Sequence, residues 1–303
     1  MTGHALCEGR GGVVTGAGRG VGRAHALEFA RQGARVVVND LGVGSDGAGG
    51  SDGPAQEVVS LVRSLGSEAI ASVEDVADWD GAGRMIRTAI DAWGRLDVLV
   101  NNAGFVRDRM LVSTSEAEWD AVIRVHLRGH FAPTRHAIAH FRERAKAGEK
   151  LNARIINTTS GAGLLGSVGQ AAYSAAKAGI AALTLVEAAE LARYGVTANA
   201  VAPAARTRMT EETFADMMRK PASGFDSMDP ENVSPLVAWL ASVESSDVTG
   251  RVFEVSGGAV GLAEGWRVGP AVDKKARWEA PELGSAVRAL LARGLSPQKP
   301  YGA

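Results

Sequence analysis

The chain has almost no cysteine, and one thiol among 303 residues excludes both an intramolecular disulfide and a cysteine-held metal site. Cys7 stands near an N-terminus expected to be mobile, and it reads as an inert residue rather than a reactive thiol. Long apolar runs are missing too. The opening MTGHALCEGRGG has no hydrophobic signal region, and nothing approaches the roughly 18 consecutive apolar residues that span a bilayer. Net charge is also scarce, at 33 Lys and Arg against 34 Asp and Glu, so no overall field draws the chain to nucleic acid or to an anionic membrane. No internal repeat is present, no metal is expected, and the only biased stretch is the Gly-, Ser- and Asp-rich segment 41–53. What the chain does have is glycine, 38 residues, and 46% hydrophobic side chains, enough to build the core of one large α/β domain.

Strand-like runs alternate with helix-like segments along most of the length. Strands are expected at 12–15, 34–39, 69–73, 96–100, 154–158, 196–201 and 252–255, the final one ending in Gly257-Gly258. The second of these, ARVVVN, is β-branched without interruption, as in a strand buried on both faces. Helices are expected at 21–32, stopped by Gly33, and at 55–65, 79–93, 116–147, 171–194 and 233–242, with Pro133 kinking the long fourth segment. Such alternation predicts an α/β fold with a doubly wound parallel sheet (Rossmann-like), helices covering both faces. Residues 1–260 would form this dinucleotide-binding and catalytic domain. Beyond about 261 the pattern breaks, and 261–303 reads as an extension with one helix at 281–293, packed on the domain or on a neighbouring subunit.

The first strand runs into Thr15-Gly16-Ala17-Gly18-Arg19-Gly20-Val21-Gly22 and then a helix. Glycines at that junction let backbone N–H groups approach a pyrophosphate, and the helix N-terminus adds partial positive charge. Asp40 ends the second strand, where a carboxylate accepts both adenosine ribose hydroxyls and repels a 2′-phosphate, which favours NAD over NADP. Arg19 pulls the other way, because a guanidinium there suits a 2′-phosphate; Asp40 carries more weight since it would lie against the 2′ position. Asp75 and Val76, after the third strand, are placed to contact the adenine.

Farther on come Asn101-Asn102-Ala103-Gly104, then Ser160, then Tyr173-Ser174-Ala175-Ala176-Lys177. Residues four apart share a helix face, so Lys177 stands one turn from Tyr173 and its ammonium is expected to lower the phenol pKa. In order and spacing from about Gly12 to Gly258 these motifs resemble the short-chain dehydrogenase/reductase family. The resemblance implies Tyr173 as general acid–base, Lys177 holding the nicotinamide ribose beside it, and Ser160 bonding the substrate oxygen. Cofactor contacts are implied for Gly16, Arg19, Gly20, Val21, Gly22, Asp40, Asp75, Val76, Asn101, Ala103, Gly104, Tyr173, Lys177, Pro203 and Thr207, with Asn102 bracing neighbouring backbone. Two positions depart from the family pattern. His126 stands where an Asn usually supports a proton relay, and the usual Pro-Gly is Pro203-Ala204, in a loop one residue short.

VVVNDLG, NNAGFVRDR, RVHLRGHF, GQAAYSAAK and RMT narrow the resemblance to the (3R)-hydroxyacyl-CoA dehydrogenase part of peroxisomal multifunctional enzymes, also described as a 17β-hydroxysteroid dehydrogenase. This implies an acyl-CoA or steroid substrate, with Arg107, Arg109, Arg206 and Arg208 available to a CoA phosphate or simply solvated. The Met and Phe residues of 207–225 suit either an apolar lid over substrate and nicotinamide or core packing, and the resemblance implies a homotetramer or homodimer. The hydratase and lipid-carrier domains of those enzymes have no counterpart here. The ending Tyr301-Gly302-Ala303 is not a peroxisomal address, so a stand-alone cytoplasmic dehydrogenase is expected. The rival readings are a catalytically silent dinucleotide sensor or scaffold, and a reductase of sugars or of acyl-carrier-protein substrates.

Overall fold

Every parallel strand pair needs a crossover, and the alternation of short apolar strands with amphipathic helices supplies one after each strand. The computed structural model, which describes residues 5–44, 49–207, 216 and 218–302, shows the result: eight strands in the order β3-β2-β1-β4-β5-β6-β7-β8. These are β1 (Gly11–Thr15), β2 (Arg35–Asn39), β3 (Ala69–Ser72), β4 (Val98–Asn101), β5 (Ala153–Thr158), β6 (Val196–Ala204), β7 (Val252–Ser256) and β8 (Ala259–Ala263). The first seven are parallel and the last is antiparallel to its neighbour.

Side chains alternate along each strand into two cores. Val14, Val36 and Val38 pack under α1 (Gly20–Arg31), α2 (Gly53–Ser64) and α8 (Ser234–Ala241). Val13, Val37 and Leu99 pack under α3 (Trp79–Trp93), α5 (Gly129–Lys146) and α7 (Ala171–Leu191) on the other face. The order reverses between β1 and β4, which opens a crevice at the carboxyl ends of those strands.

Four expectations need correction. The N-terminal segment is seated, not mobile, at Cys7: that residue is 1% exposed and its amide donates to Gln32 O at 2.9 Å. Burial pushes its thiol up to about 11, which leaves it inert. The helical region 116–147 does not break at Pro133. It divides earlier, where α4 (Glu116–Ile123) passes into a π-helical turn, Arg124–Arg128, before α5 begins. Pro133 cannot bond the carbonyl of Gly129, and the widened turn ends immediately before that residue. Gly257-Gly258 does not end the sheet; it is the two-residue loop of a hairpin, with Ser256 paired to Ala259. The sheet therefore crosses the expected 260/261 boundary, and the exposed extension starts at 264. Its helix, α9 (Ala280–Arg293), buries no residue. A short α6 (Gly161–Leu165) was not anticipated either. Arg208 and Met209 lie outside the described residues, as does the rest of 208–215, with 217, in the 207–225 stretch read as a lid. Among the described residues no helix is long and apolar enough to cross a membrane, and no group of His, Cys, Asp and Glu could hold a metal.

Candidate active site

At the crevice lies a cavity of about 590 Å³. Gly16, Arg19, Gly20, Val21, Gly22 and Asp40 border it from the first two strand ends. Asp75, Val76, Ala103 and Gly104 border it beyond β3 and β4, and His126, Tyr173, Lys177, Pro203 and Thr207 complete it. Of the residues expected at the site, Asn101 and Ser160 do not border this cavity. The side chain of Asn101 is fully buried and turns inward, donating through Nδ2 to Thr134 Oγ1 and Asn157 Oδ1, each at 2.9 Å. Asn157 in turn donates to Glu187 Oε2 at 2.7 Å, and burial raises that carboxyl to about 7. This buried ring of polar groups had no sequence signal, because Glu187 sits in an Ala- and Leu-rich helix that reads as apolar.

The glycine turn is shaped by what its neighbours leave no room for. A Cβ on Gly16, whose φ is +62°, would lie 2.7 Å from Ala103 Cα, and one on Gly22 would lie 2.1 Å from the Gly16 carbonyl oxygen. Asn102 closes the turn from below, donating through Nδ2 to Thr15 O at 2.9 Å and Gly16 O at 3.2 Å, the bracing role expected of it. Helix α1 has no side-chain cap at Arg19, so its first amides are directed at the crevice without a protein acceptor from that residue. Those amides, the turn and the cavity fit the pyrophosphate of a nicotinamide dinucleotide. Asp40 does more than face the groove. Its Oδ2 accepts from the Gly18 amide at 2.8 Å and its Oδ1 from the Gly42 amide at 2.7 Å, which fastens the turn to the end of β2. Asp75 is paired with Arg124 at 2.5 Å, a partner supplied by the π-helical turn.

At the far side Ser160 caps α6, accepting from the Ala162 amide at 3.2 Å, and it stands beside the Tyr173 phenol. Lys177 is 2% exposed, its Nζ donates to Thr158 O at 2.6 Å and lies 5.6 Å from the Tyr173 ring centroid. The pKa of Tyr173 does not fall as its spacing to Lys177 suggested. Burial pushes it up, the Ser160 hydrogen bond pulls it back, and Asp108 pushes it further up. Burial also brings Lys177 down to about 7, so the lysine is itself only partly charged near neutrality.

His126 sits edge-on to Tyr173, with ring centroids 5.2 Å apart. Its Nε2 lies 2.5 Å from Phe105 O and its Nδ1 has no partner. Neither nitrogen bonds Tyr173 or Lys177, and burial followed by the Lys177 charge brings the ring to about 3. The relay role expected of His126 thus has no direct link to either group; the neutral imidazole lies against the Phe105 backbone as part of the wall, its Nε2 within reach of both the Phe105 amide, at 3.2 Å, and the Phe105 carbonyl. Among the arginines considered for a CoA phosphate, Arg206 is nearly buried against Asp226 and Arg109 is paired with Glu118 at 3.1 Å. Arg107 borders the cavity and lies over the Phe105 ring at 5.6 Å. Leu41, Phe105 and Val125 also line the cavity and were not singled out from the sequence.

A dinucleotide groove that closes on a half-buried tyrosine and a buried lysine suits hydride exchange between a nicotinamide and a CH–OH carbon, and the protein is an oxidoreductase of that class. Residues 12–218 match the short chain dehydrogenase family, and the chain belongs to it. It is 43% identical over 302 residues to the hydroxyacyl-CoA dehydrogenase ChsB1 of Mycobacterium tuberculosis, covering 97% of this chain and 92% of that one. It is 41% identical over 281 residues to the peroxisomal multifunctional enzyme type 2 of Mus musculus, where it spans 93% of its own length and only 34% of that enzyme. A crystal structure of a short chain dehydrogenase from Mycobacterium avium superposes with a TM-score of 0.88 at 57% identity, covering 98% of this chain and all of that one.

Proposed function

We propose that the protein exchanges a hydride between NAD(H) and the 3-hydroxyl carbon of a hydroxyacyl-CoA, with a hydroxysteroid as the other substrate of matching chemistry. The observation that carries this reading is Tyr173 at the wall of the dinucleotide groove, with Ser160 beside it and buried Lys177 one helical turn away on the same wall. The similarity to hydroxyacyl-CoA dehydrogenases supports the acyl class. The bound nicotinamide supplies the hydride acceptor or donor. Ser160 holds the substrate oxygen by a hydrogen bond, and Tyr173 takes the hydroxyl proton in oxidation or returns it in reduction. Lys177, fixed by Thr158 O, places its charge on the same helix face as the phenol and stabilises the phenolate as it forms. His126 positions the Phe105 backbone and packs against the Tyr173 ring.

NAD is favoured over NADP because the Asp40 carboxylate borders the cavity at the end of β2 and would repel a 2′-phosphate, while the neighbouring Glu74 and Asp75 are already paired with Arg84 and Arg124. Arg19, the opposing residue, directs its guanidinium to Val43 O at 3.3 Å. We further infer a homodimer or homotetramer formed over the α5–α7 face, where Phe131, Leu185 and Val186 are about half exposed beside a groove. An absorbance assay with NAD and a panel of 3-hydroxyacyl-CoAs and hydroxysteroids tests the substrate reading. NADH formation with a 3-hydroxyacyl-CoA is expected. Turnover confined to sugar alcohols, turnover of acyl-carrier-protein substrates with NADPH, or silence with every substrate would contradict it.

A further inference from the structure

Arg124, Val125 and His126 are successive residues of the π-helical turn, and all three border the cavity. A regular α-helix spreads three successive residues over roughly 200° of its circumference, so its one face would present fewer of them to a groove. Widened turns of this kind recur at functional sites. This one also grips the segment after β3, residue by residue. Arg124 is paired with Asp75 at 2.5 Å, and Arg128 Nε donates to Ala77 O at 2.9 Å. A Cβ on Gly129, the residue after the turn, would come within 2.7 Å of Val76 Cγ2. Asp75 is held from its own side as well, its Oδ1 accepting from the Ala77 amide at 2.8 Å.

Both oxygens of Asp75 are thus engaged and its carboxylate plane is set, while the residue still borders the cavity. Each oxygen keeps a lone pair for a further donor. The strand order says which part of a dinucleotide arrives there. Asp75 follows β3 at one edge of the sheet, Tyr173 stands on α7 after β5, and the glycine turn after β1 lies between them. A dinucleotide with its pyrophosphate on that turn and its nicotinamide at Tyr173 brings its adenine toward Asp75. The 6-amino group of adenine donates, and a carboxylate only accepts. A half-exposed Arg–Asp pair contributes little to stability, so the effect of Arg124 lies in the direction it gives the carboxylate.

We propose that Arg124 is a positioning residue for cofactor recognition: from the π-helical turn it aims the Asp75 carboxylate at the adenine 6-amino group, and so lets the protein tell adenine from a purine with oxygen at that position. This rests on the NAD(H) reading above. A base with a carbonyl at position 6 sets an acceptor against the carboxylate, and a site built to bond a donor rejects the analogue that lacks it.

The test is a fluorescence titration with NADH and with reduced nicotinamide hypoxanthine dinucleotide. It compares the unmodified protein with Arg124→Met, Arg124→Lys, Asp75→Ala and the Arg124→Met/Asp75→Ala double variant. The unmodified protein should bind NADH about tenfold more tightly than the hypoxanthine analogue, as one charge-assisted hydrogen bond allows. Arg124→Met should erase most of that preference, chiefly by weakening NADH, and Arg124→Lys should restore most of it. The double variant should match Asp75→Ala, because Arg124 acts only through that carboxylate. An unchanged preference in Arg124→Met would overturn the proposal, as would equal loss of both dinucleotides, tighter NADH binding once the pair is broken, or no preference in the unmodified protein. If Arg124→Met does not fold, Asp75→Ala and Arg124→Lys decide: a preference kept by the first or lost in the second overturns it. The titration needs no substrate, so inactivity with every hydroxyacyl-CoA would refute the functional reading and leave this result standing. An unmodified protein that binds neither dinucleotide would refute both.

Discussion

Asp40 shows how one side chain serves two ends. By accepting from the Gly18 and Gly42 amides it fixes the glycine turn, and it also borders the cavity, where the proposed preference for NAD assigns its charge to repelling a 2′-phosphate. Asp40→Asn should therefore weaken NADH binding while raising relative affinity for NADPH, measured as the ratio of the two dissociation constants. An unchanged ratio would assign Asp40 to the turn alone. The buried histidines make a different prediction. His25 and His126 are both brought to about 3 by burial, from an ordinary 6.5. Between those values the unfolded chain binds more protons than the folded one, so stability rises with pH across that window and is lost as pH falls from about 6.5 toward 3. Each contributes up to about 1.36 kcal/mol per pH unit. Glu187, raised to about 7, acts in the opposite sense between 4.5 and 7, because there the folded state holds the extra proton. Urea unfolding as a function of pH should show the histidine slope, and His25→Asn should reduce it.

At the scale of elements, the turn between β1 and α1 tolerates almost nothing added. Gly22→Ala places a Cβ 2.1 Å from the Gly16 oxygen, which forces the turn apart. Overpacking of this kind costs about 1–3 kcal/mol. The variant should melt several degrees lower and bind NADH markedly more weakly, as calorimetry and fluorescence titration would show. The glycine turn, Asp40 and the Tyr173–Lys177 spacing were legible in the sequence because each depends on local chain geometry: a strand end, a turn, one helical turn. What depends on packing between distant segments was not. His126 was read as a relay because of its place in the chain, and only the fold shows its ring turned to the Phe105 carbonyl. The π-helical turn was masked by Pro133, the more conspicuous helix breaker. Strand β8 was hidden because Gly257-Gly258 reads equally as a stop and as a hairpin loop. The inward turn of Asn101 follows from Thr134, Asn157 and Glu187, which are separated widely in sequence and adjoin only in three dimensions.

For the whole molecule, one sheet organises everything: the switch between β1 and β4 opens the groove, and α7 carries Tyr173 and Lys177 to its wall. The exposed face of α5 and α7 is the surface predicted to meet a second copy. Val186→Glu should convert the oligomer seen by light scattering into monomer, since a buried unpaired carboxylate opposes association; an unaltered mass would place the interface elsewhere. The central claim is that Tyr173 moves the proton while the glycine turn binds the dinucleotide independently. It is tested most directly by measuring NADH affinity and steady-state turnover on one preparation of Tyr173→Phe. The account predicts NADH binding within about twofold of the unmodified protein and a loss of turnover of about 10²–10⁴-fold, the range for a positioned acid–base group. Turnover that survives the substitution, or turnover lost only because NADH no longer binds, would contradict it.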